Sequence, residues 1–235
     1  MLLKIYGERN SGTRYLEKLL TLNFPFFTIL SSVQKGCKIR FWKHGLPTTA
    51  IYKEFPKEKI IHIFIVRKVA PWITSMYQKP WHLIPPSQFD DILHKKVKIN
   101  ETDRLFQMDG NFINFEDKDK TMMEIRYFKL KNYLHFFHKD EGDALMVDLD
   151  ILKNNHEFVM GKISQLTGTK PMFHYKNVFY HSHTTEWRED KKHVLTKKEE
   201  EKIKQLCDNE LESLIFNCLW VKKNHQLTSY ELLSS

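Results

Sequence analysis

The chain has 235 residues, a length that suits one α/β domain with a sizeable buried core and leaves little room for a second. Lys plus Arg number 37 against 29 Asp plus Glu, a surplus of 37 − 29 = +8 that favours anionic ligands and excludes an acidic, solvating chain. The three cysteines, Cys37, Cys207 and Cys218, form no CxxC pair and no cluster with histidine, which excludes a disulfide scaffold or zinc module and fits a reducing compartment.

Residues 2–6 are a short apolar run that leads into Gly7-Glu8-Arg9-Asn10-Ser11-Gly12, after which Tyr15, Leu16, Leu19 and Leu20 recur at helical spacing. This reads as strand, anion-binding loop and helix. Gly7 and Gly12 let the backbone approach an anion closely, with the loop amides and the helix N-terminus behind it. Arg9 and Arg14 add positive charge. The glycine spacing fits the loop of nucleotide triphosphatases, but that pattern continues with Lys and then Ser or Thr, and here those positions hold Thr13 and Arg14. An arginine at the hydroxyl position repels a metal ion, so the expected ligand is of phosphate type, handled without magnesium. A ligand-free polar turn is the plainer alternative for this stretch alone.

A first helix spans about residues 12–22. A short strand is expected within 24–30 and a stronger one over 37–42, ending in Lys43-His44-Gly45-Leu46-Pro47. Pro47 can open a helix through Tyr52 and Phe55. Residues 60–66 are almost continuously apolar, as a central parallel strand buried on both faces should be, and the run closes at Arg67. A helix follows from about Pro71 through Tyr77. Residues 78–120 scatter aromatics among charges without sustained periodicity and read as an irregular, partly helical insertion. Met122, Ile125, Phe128, Leu130, Tyr133, Leu134 and Phe137 then mark a helix over 121–138, and residues 144–147 a buried strand. A helix carrying Phe158, Val159, Ile163 and Leu166 ends at Gly168. Thr196 and Glu199 make a capping box, and the helix they open is expected to run through Ile203, Leu206 and Leu211 towards Leu214.

Strands that alternate with helices predict an α/β fold of three layers, a mostly parallel central sheet flanked by helices, as one domain over 1–235 with an insertion around 78–120. Ligands of such sheets bind beyond the carboxyl ends of the strands. The glycine loop, Lys43-His44 and Arg67 all fall at such ends. No basic arm or arginine-rich helix points to nucleic acid. No signal peptide and no run long enough to span a membrane is present, so a cytoplasmic protein is expected.

Four stretches together resemble the sulfotransferase superfamily that uses 3′-phosphoadenosine 5′-phosphosulfate (PAPS). Arg9-Asn10-Ser11-Gly12-Thr13-Arg14-Tyr15-Leu16 is similar to the family's 5′-phosphosulfate loop, Lys-Ser-Gly-Thr-Thr, with the Ser-Gly-Thr core kept and the family lysine falling on Asn10. The run that closes at Arg67, with Ser75 eight residues on, resembles the 3′-phosphate site. Lys43-His44-Gly45-Leu46-Pro47 resembles the segment of the catalytic histidine, with His44 one position from the family's place. Trp187-Arg188 followed by Leu195-Thr196 resembles the segment near the bound nucleotide. Residues 147–152 resemble a family strand and helix, with Leu149 where a tyrosine is usual.

The resemblance implies a PAPS-dependent sulfotransferase that releases 3′,5′-adenosine bisphosphate (PAP) and moves a sulfuryl group to a hydroxyl on a glycan or small molecule. It implies donor contacts from Arg9, Asn10, Ser11, Gly12, Thr13, Arg14, Arg67, Ser75, Trp187 and Arg188, and catalysis by His44 as base with Arg9 or Lys43 at the bridging oxygen. Glu8, Trp81, His82, Phe106 and Phe112 are candidates to line the acceptor site. No metal is expected. A small P-loop nucleotide kinase is the first rival, with Asp148 and Asp150 as possible metal ligands. A non-enzymatic anion or nucleic-acid binding module is the second.

Overall fold

The computed structural model describes residues 1–31, 43–79, 88–95, 107–108, 111–112, 120–139, 142–170, 174–178, 193–216 and 218–231. In chain order the elements are β1 (Leu2–Gly7), α1 (Thr13–Asn23), β2 (Thr28–Leu30), α2 (Ala50–Glu54), β3 (Ile60–Val66), α3 (Val69–Gln78), α4 (Phe89–His94), β4 (Gln107–Met108) and β5 (Asn111–Phe112). There follow α5 (Met122–Lys139), β6 (Asp143–Asp148), α6 (Leu149–Asn154), α7 (His156–Thr167), α8 (Lys197–Leu206), α9 (Asn209–Ile215), β7 (Cys218–Lys223) and β8 (Gln226–Glu231).

Six strands form one sheet in the order β2-β1-β3-β6-β7-β8, and β4 pairs with β5 separately. β2, β1, β3 and β6 run parallel, while β7 and β8 add antiparallel to the β6 edge. The parallel strands are apolar because both faces are covered. Leu3, Ile5, Ile61, Ile63, Ile65, Leu145 and Val147 point to one side, where α1, α6 and α7 supply Leu16, Leu152 and Ile163. Tyr6, Phe64, Val66 and Met146 point to the other, against α3, α4, α5, α8 and α9. The chain is thus α/β, with a mostly parallel sheet between helices.

The strand order fixes where a ligand can sit. β1 connects through α1 to β2 on one side, the chain then crosses back to β3, and β3 leads outward to β6. The winding reverses between β1 and β3, and open α/β sheets hold ligands in the crevice at the carboxyl ends of such a pair.

Several sequence expectations shift. The helix after Pro47 starts later, at Ala50, whose N–H donates to Thr48 Oγ1 at 3.2 Å. α3 begins at Val69, so Pro71 sits in its first turn, where a missing N–H costs nothing. The helix opened by Thr196 does not continue to Leu214: it stops at Leu206, and Asp208 starts α9 by accepting from the Leu211 N–H at 3.2 Å. α6 and the β7–β8 hairpin were not anticipated from the pattern. The strand expected over 37–42 lies outside the described residues, as does most of the insertion. Among the described residues no helix is long and apolar enough to cross a membrane.

Candidate functional site

Gly7 closes β1 and is held from two directions. Its N–H donates to the Lys43 carbonyl at 2.9 Å, and its carbonyl accepts from His44 Nδ1 at 2.8 Å. The Lys43 N–H donates to the Ser31 carbonyl at 3.0 Å, just beyond β2. Lys43 and His44 therefore lie along the carboxyl ends of β1 and β2. A Cβ at Gly7 would stand 2.7 Å from the Ile65 carbonyl, Ser11 Oγ and Thr13 Cγ2 alike, so only glycine fits the close approach of the loop to β3.

The loop is built by local bonds. Ser11 is fully buried and folds back on the Glu8 carbonyl, through its N–H at 3.2 Å and its Oγ–H at 2.6 Å. Asn10 and Gly12 take left-handed backbone conformations, with φ of 58° and 95°. Asparagine tolerates that region and glycine favours it. α1 then starts at Thr13 with no side-chain cap and no acidic residue in its first turn. The amide dipoles at that end keep their positive field, which suits an anion.

Arg67 follows β3 and reaches across the crevice. Its Nη1–H donates to the Asn10 carbonyl at 3.1 Å. Its Nε is buried and has no hydrogen-bond partner among the described residues. Burial lowers its pKa, with Asp150 and Asp148 opposing, and it stays a cation. The Asn10 side chain turns to α3 and donates to the Ser75 carbonyl at 3.2 Å, Met76 Sδ at 3.1 Å and the Lys79 carbonyl at 3.3 Å. Trp72 Nε1–H, also from α3, donates to the Arg9 carbonyl at 2.9 Å. Arg67, Ser75 and the loop are thereby brought together at Asn10. The Asn10 side chain is committed to fastening α3.

His44 is buried and its pKa falls to about 3. Burial is the main cause; its bond to Gly7 opposes, and Lys129, Arg9 and Lys43 add repulsion. A carbonyl only accepts, so the neutral ring carries its hydrogen on Nδ1 and its lone pair on Nε2. Lys43 pairs with Glu17 at 2.8 Å. Burial pushes Glu17 up, but hydrogen bonds from Lys43 and Ser31 outweigh it and hold the carboxyl below the usual range. Lys43 charge is thus locally offset. Arg9 is half-buried beside the loop, and Arg14 is exposed on the first turn of α1.

Glu8, a candidate for the acceptor site, is turned into the core. Its side chain is 2% exposed and ion-pairs with Arg126 of α5, because a carboxylate buried in the core requires a cation. Burial raises its pKa against the pull of Arg126 and Lys129, with Glu212 adding repulsion. Trp81, His82, Phe106, Trp187 and Arg188 lie outside the described residues, and Phe112 is described only through its backbone in β5.

Arg126, Lys129, Glu17 and Trp72 belong to the site and were missed. Arg126 and Lys129 sit on the buried face of α5, among Met122, Ile125, Leu130 and Tyr133. Charged residues on a core stripe need buried partners, and that was the available signal. Asp148 closes β6; its Oδ1 caps α6 through the Asp150 and Ile151 N–H groups at 2.7 and 3.3 Å. Among the described residues no group of three or more His, Cys, Asp or Glu is placed to hold a metal ion. Compared with known proteins, the chain matches no family model, no curated protein and no solved structure.

Proposed function

We propose that the chain is a sulfotransferase that takes a sulfuryl group from PAPS and passes it to a hydroxyl on a glycan or small molecule. The observation that carries this reading is Arg67. It bonds the loop at Asn10 across the winding reversal, and its buried Nε–H has no protein acceptor among the described residues. With the uncapped start of α1 and the close-packed Gly7, this is a cradle for a phosphate-type group. PAPS supplies an activated sulfuryl group and, in its nucleotide, phosphates at the 5′ and 3′ positions. The loop 8–14 suits the 5′ end and Arg67 with Ser75 the 3′-phosphate.

The acceptor hydroxyl loses its proton as it attacks sulfur. His44 Nε2 is the assigned base. Burial above all, with repulsion from Lys129, Arg9 and Lys43, keeps its proton affinity low, and negative charge brought into the loop offsets the repulsive part. Arg9 and Lys43 are the two candidates for stabilising the leaving oxygen, with the Lys43 charge partly offset by Glu17. Trp187, Arg188 and the aromatics of the insertion keep their assigned roles at the nucleotide and the acceptor.

Calorimetric titration with PAP, and separately with ATP plus magnesium, tests the reading. Metal-independent binding of PAP that weakens by roughly 10- to 100-fold in Arg67→Ala supports it, the range for losing a charged hydrogen bond. Magnesium-dependent ATP binding without PAP binding replaces it with a small kinase. Salt-sensitive nucleic-acid binding without either nucleotide replaces it with a binding module.

A further inference from the structure

Arg126 is fully buried and lies on the core side of the crevice, remote in sequence from every part of the loop. Its Nη1 donates to the Glu8 carboxylate, one residue beyond β1. Its Nη2 donates to the Arg67 carbonyl, one residue beyond β3, at 2.7 Å, and to Glu212 Oε1 of α9 at 2.9 Å. The guanidinium carbon stands 4.8 Å over the ring of Trp72, whose indole N–H holds the Arg9 carbonyl. One planar cation thus joins the ends of both strands at the winding reversal, and packs on the residue that pins the loop to α3.

A buried guanidinium with two carboxylates is a costly device, and an apolar side chain of similar volume would often fold as well or better. Its geometry serves the rim instead. Glu8 is a carboxylate inside a loop suited to an anion. Without Arg126, only Lys129 would be left to oppose burial, and the carboxyl would be driven towards protonation. Held by Arg126, it is paired inside the core. The same guanidinium fixes the backbone from which the Arg67 side chain departs, and so sets its reach to Asn10.

We infer that Arg126 is the positioning residue of the anion site, which ties the Glu8 end of the loop to the Arg67 backbone and so aligns Arg67 with the loop. This rests on reading the 8–14 loop as an anion site and adds a residue that touches no ligand. A lysine cannot reproduce the fork that reaches Glu8, the Arg67 carbonyl and Glu212 together, yet leaves a cation beside Glu8. The test measures PAP affinity and amide hydrogen exchange in the wild type, Arg126→Lys, Arg126→Met and Arg126→Met with Glu8→Gln. Arg126→Lys should weaken PAP binding about tenfold or more and speed exchange over residues 7–13, with α7 unchanged. Arg126→Met should weaken binding further, and adding Glu8→Gln should leave that deficit in place, because Glu8 without Arg126 is already driven towards its neutral form and the alignment of Arg67 is still lost.

Unchanged affinity and loop exchange in Arg126→Lys would overturn the inference, as would a folded double variant that regains wild-type affinity. A uniform loss of protection across the chain would make Arg126 structural only. If Arg126→Met does not fold, Arg126→Lys decides. If the wild type does not bind PAP, the donor assignment fails, and loop exchange in Arg126→Lys still tests the positioning role by itself.

Discussion

Replacing Gly7 with alanine should damage the loop by an amount the structure lets one work out. The added methyl would stand 2.7 Å from three atoms, and one of them, the Ile65 carbonyl, belongs to a strand locked by pairing on both sides. That atom cannot retreat, so the strain passes to Ser11 and Thr13. Overpacking of this kind costs about 1–3 kcal/mol. The φ of Gly7 is not positive, so alanine also gains about 0.4–1 kcal/mol by restricting the unfolded chain. The net loss is about 0–2.6 kcal/mol, which lowers the melting temperature by up to about 10 °C in a chain of this size. Urea unfolding measures the loss directly, and PAP titration of the folded variant should show a larger deficit, because Ser11 and Thr13 are the loop. A variant as stable as the wild type, with unaltered PAP affinity, would refute the close packing of the loop on β3.

Gly161→Ala should have the opposite sign. Gly161 lies inside α7, and a Cβ there meets only Tyr175 Cε2 at 4.0 Å, so urea unfolding should show a gain of about 0.5–1 kcal/mol. Lys4→Met should stabilise in a pH-dependent way. Burial, with repulsion from Lys43, lowers the Lys4 pKa from 10.5 to about 7, so between those values the unfolded chain holds the proton and the folded chain does not. Wild-type stability therefore rises with pH across that window, and the advantage of Lys4→Met, measured by urea unfolding at pH 7 and pH 10, should shrink at the higher pH; a growing advantage would overturn it. Thr196→Ala removes the cap of α8, whose Oγ1 accepts the Glu199 N–H at 3.3 Å, and should cost about 1 kcal/mol without changing PAP affinity.

The strands that make the crevice were legible because they are buried on both faces. Ile60–Val66 has no exposed position to fill with a polar residue, and its ends in the structure are those of the apolar run. The β7–β8 hairpin was not legible for the converse reason. It lies at the sheet edge, where Gln226 and Leu227 are exposed, and its turn uses Asn224 and His225 at φ 48° and 66° without a glycine to announce it. Lys222 also hides the strand, since its Nζ is buried and bonds the Phe137 carbonyl. The end of α8 was obscured because apolar spacing continues past Leu206, while the break is set by Asp208, which caps α9.

At the site, the sequence located the residues at strand ends and mistook what some of them do. Glycines, Arg67, Lys43 and His44 are visible as departures from apolar strands. Partners are not, because Arg126 is over a hundred residues from Glu8 and pairs with it only when α5 crosses the sheet (|i−j| = 118). The same holds for Lys43 and Glu17, and for Asn10 with the end of α3.

The distribution of buried charge bears on function independently of any resemblance. Away from the crevice, buried charges serve local structure: Asp91 completes the capping box of α4, Asp143 pairs with Lys59, and Lys222 closes on α5. At the crevice, Glu8, Arg126, Lys129 and Asp148 gather beyond the ends of β1, β3 and β6. A strand-turn-helix connection of purely structural use has a cheaper solution, an acidic side chain in the first turn of α1 to satisfy its amides. Here the loop does contain a carboxylate, but it pairs with a cation from another helix and α1 has no side-chain cap, an arrangement that leaves the first-turn amides to water or a ligand.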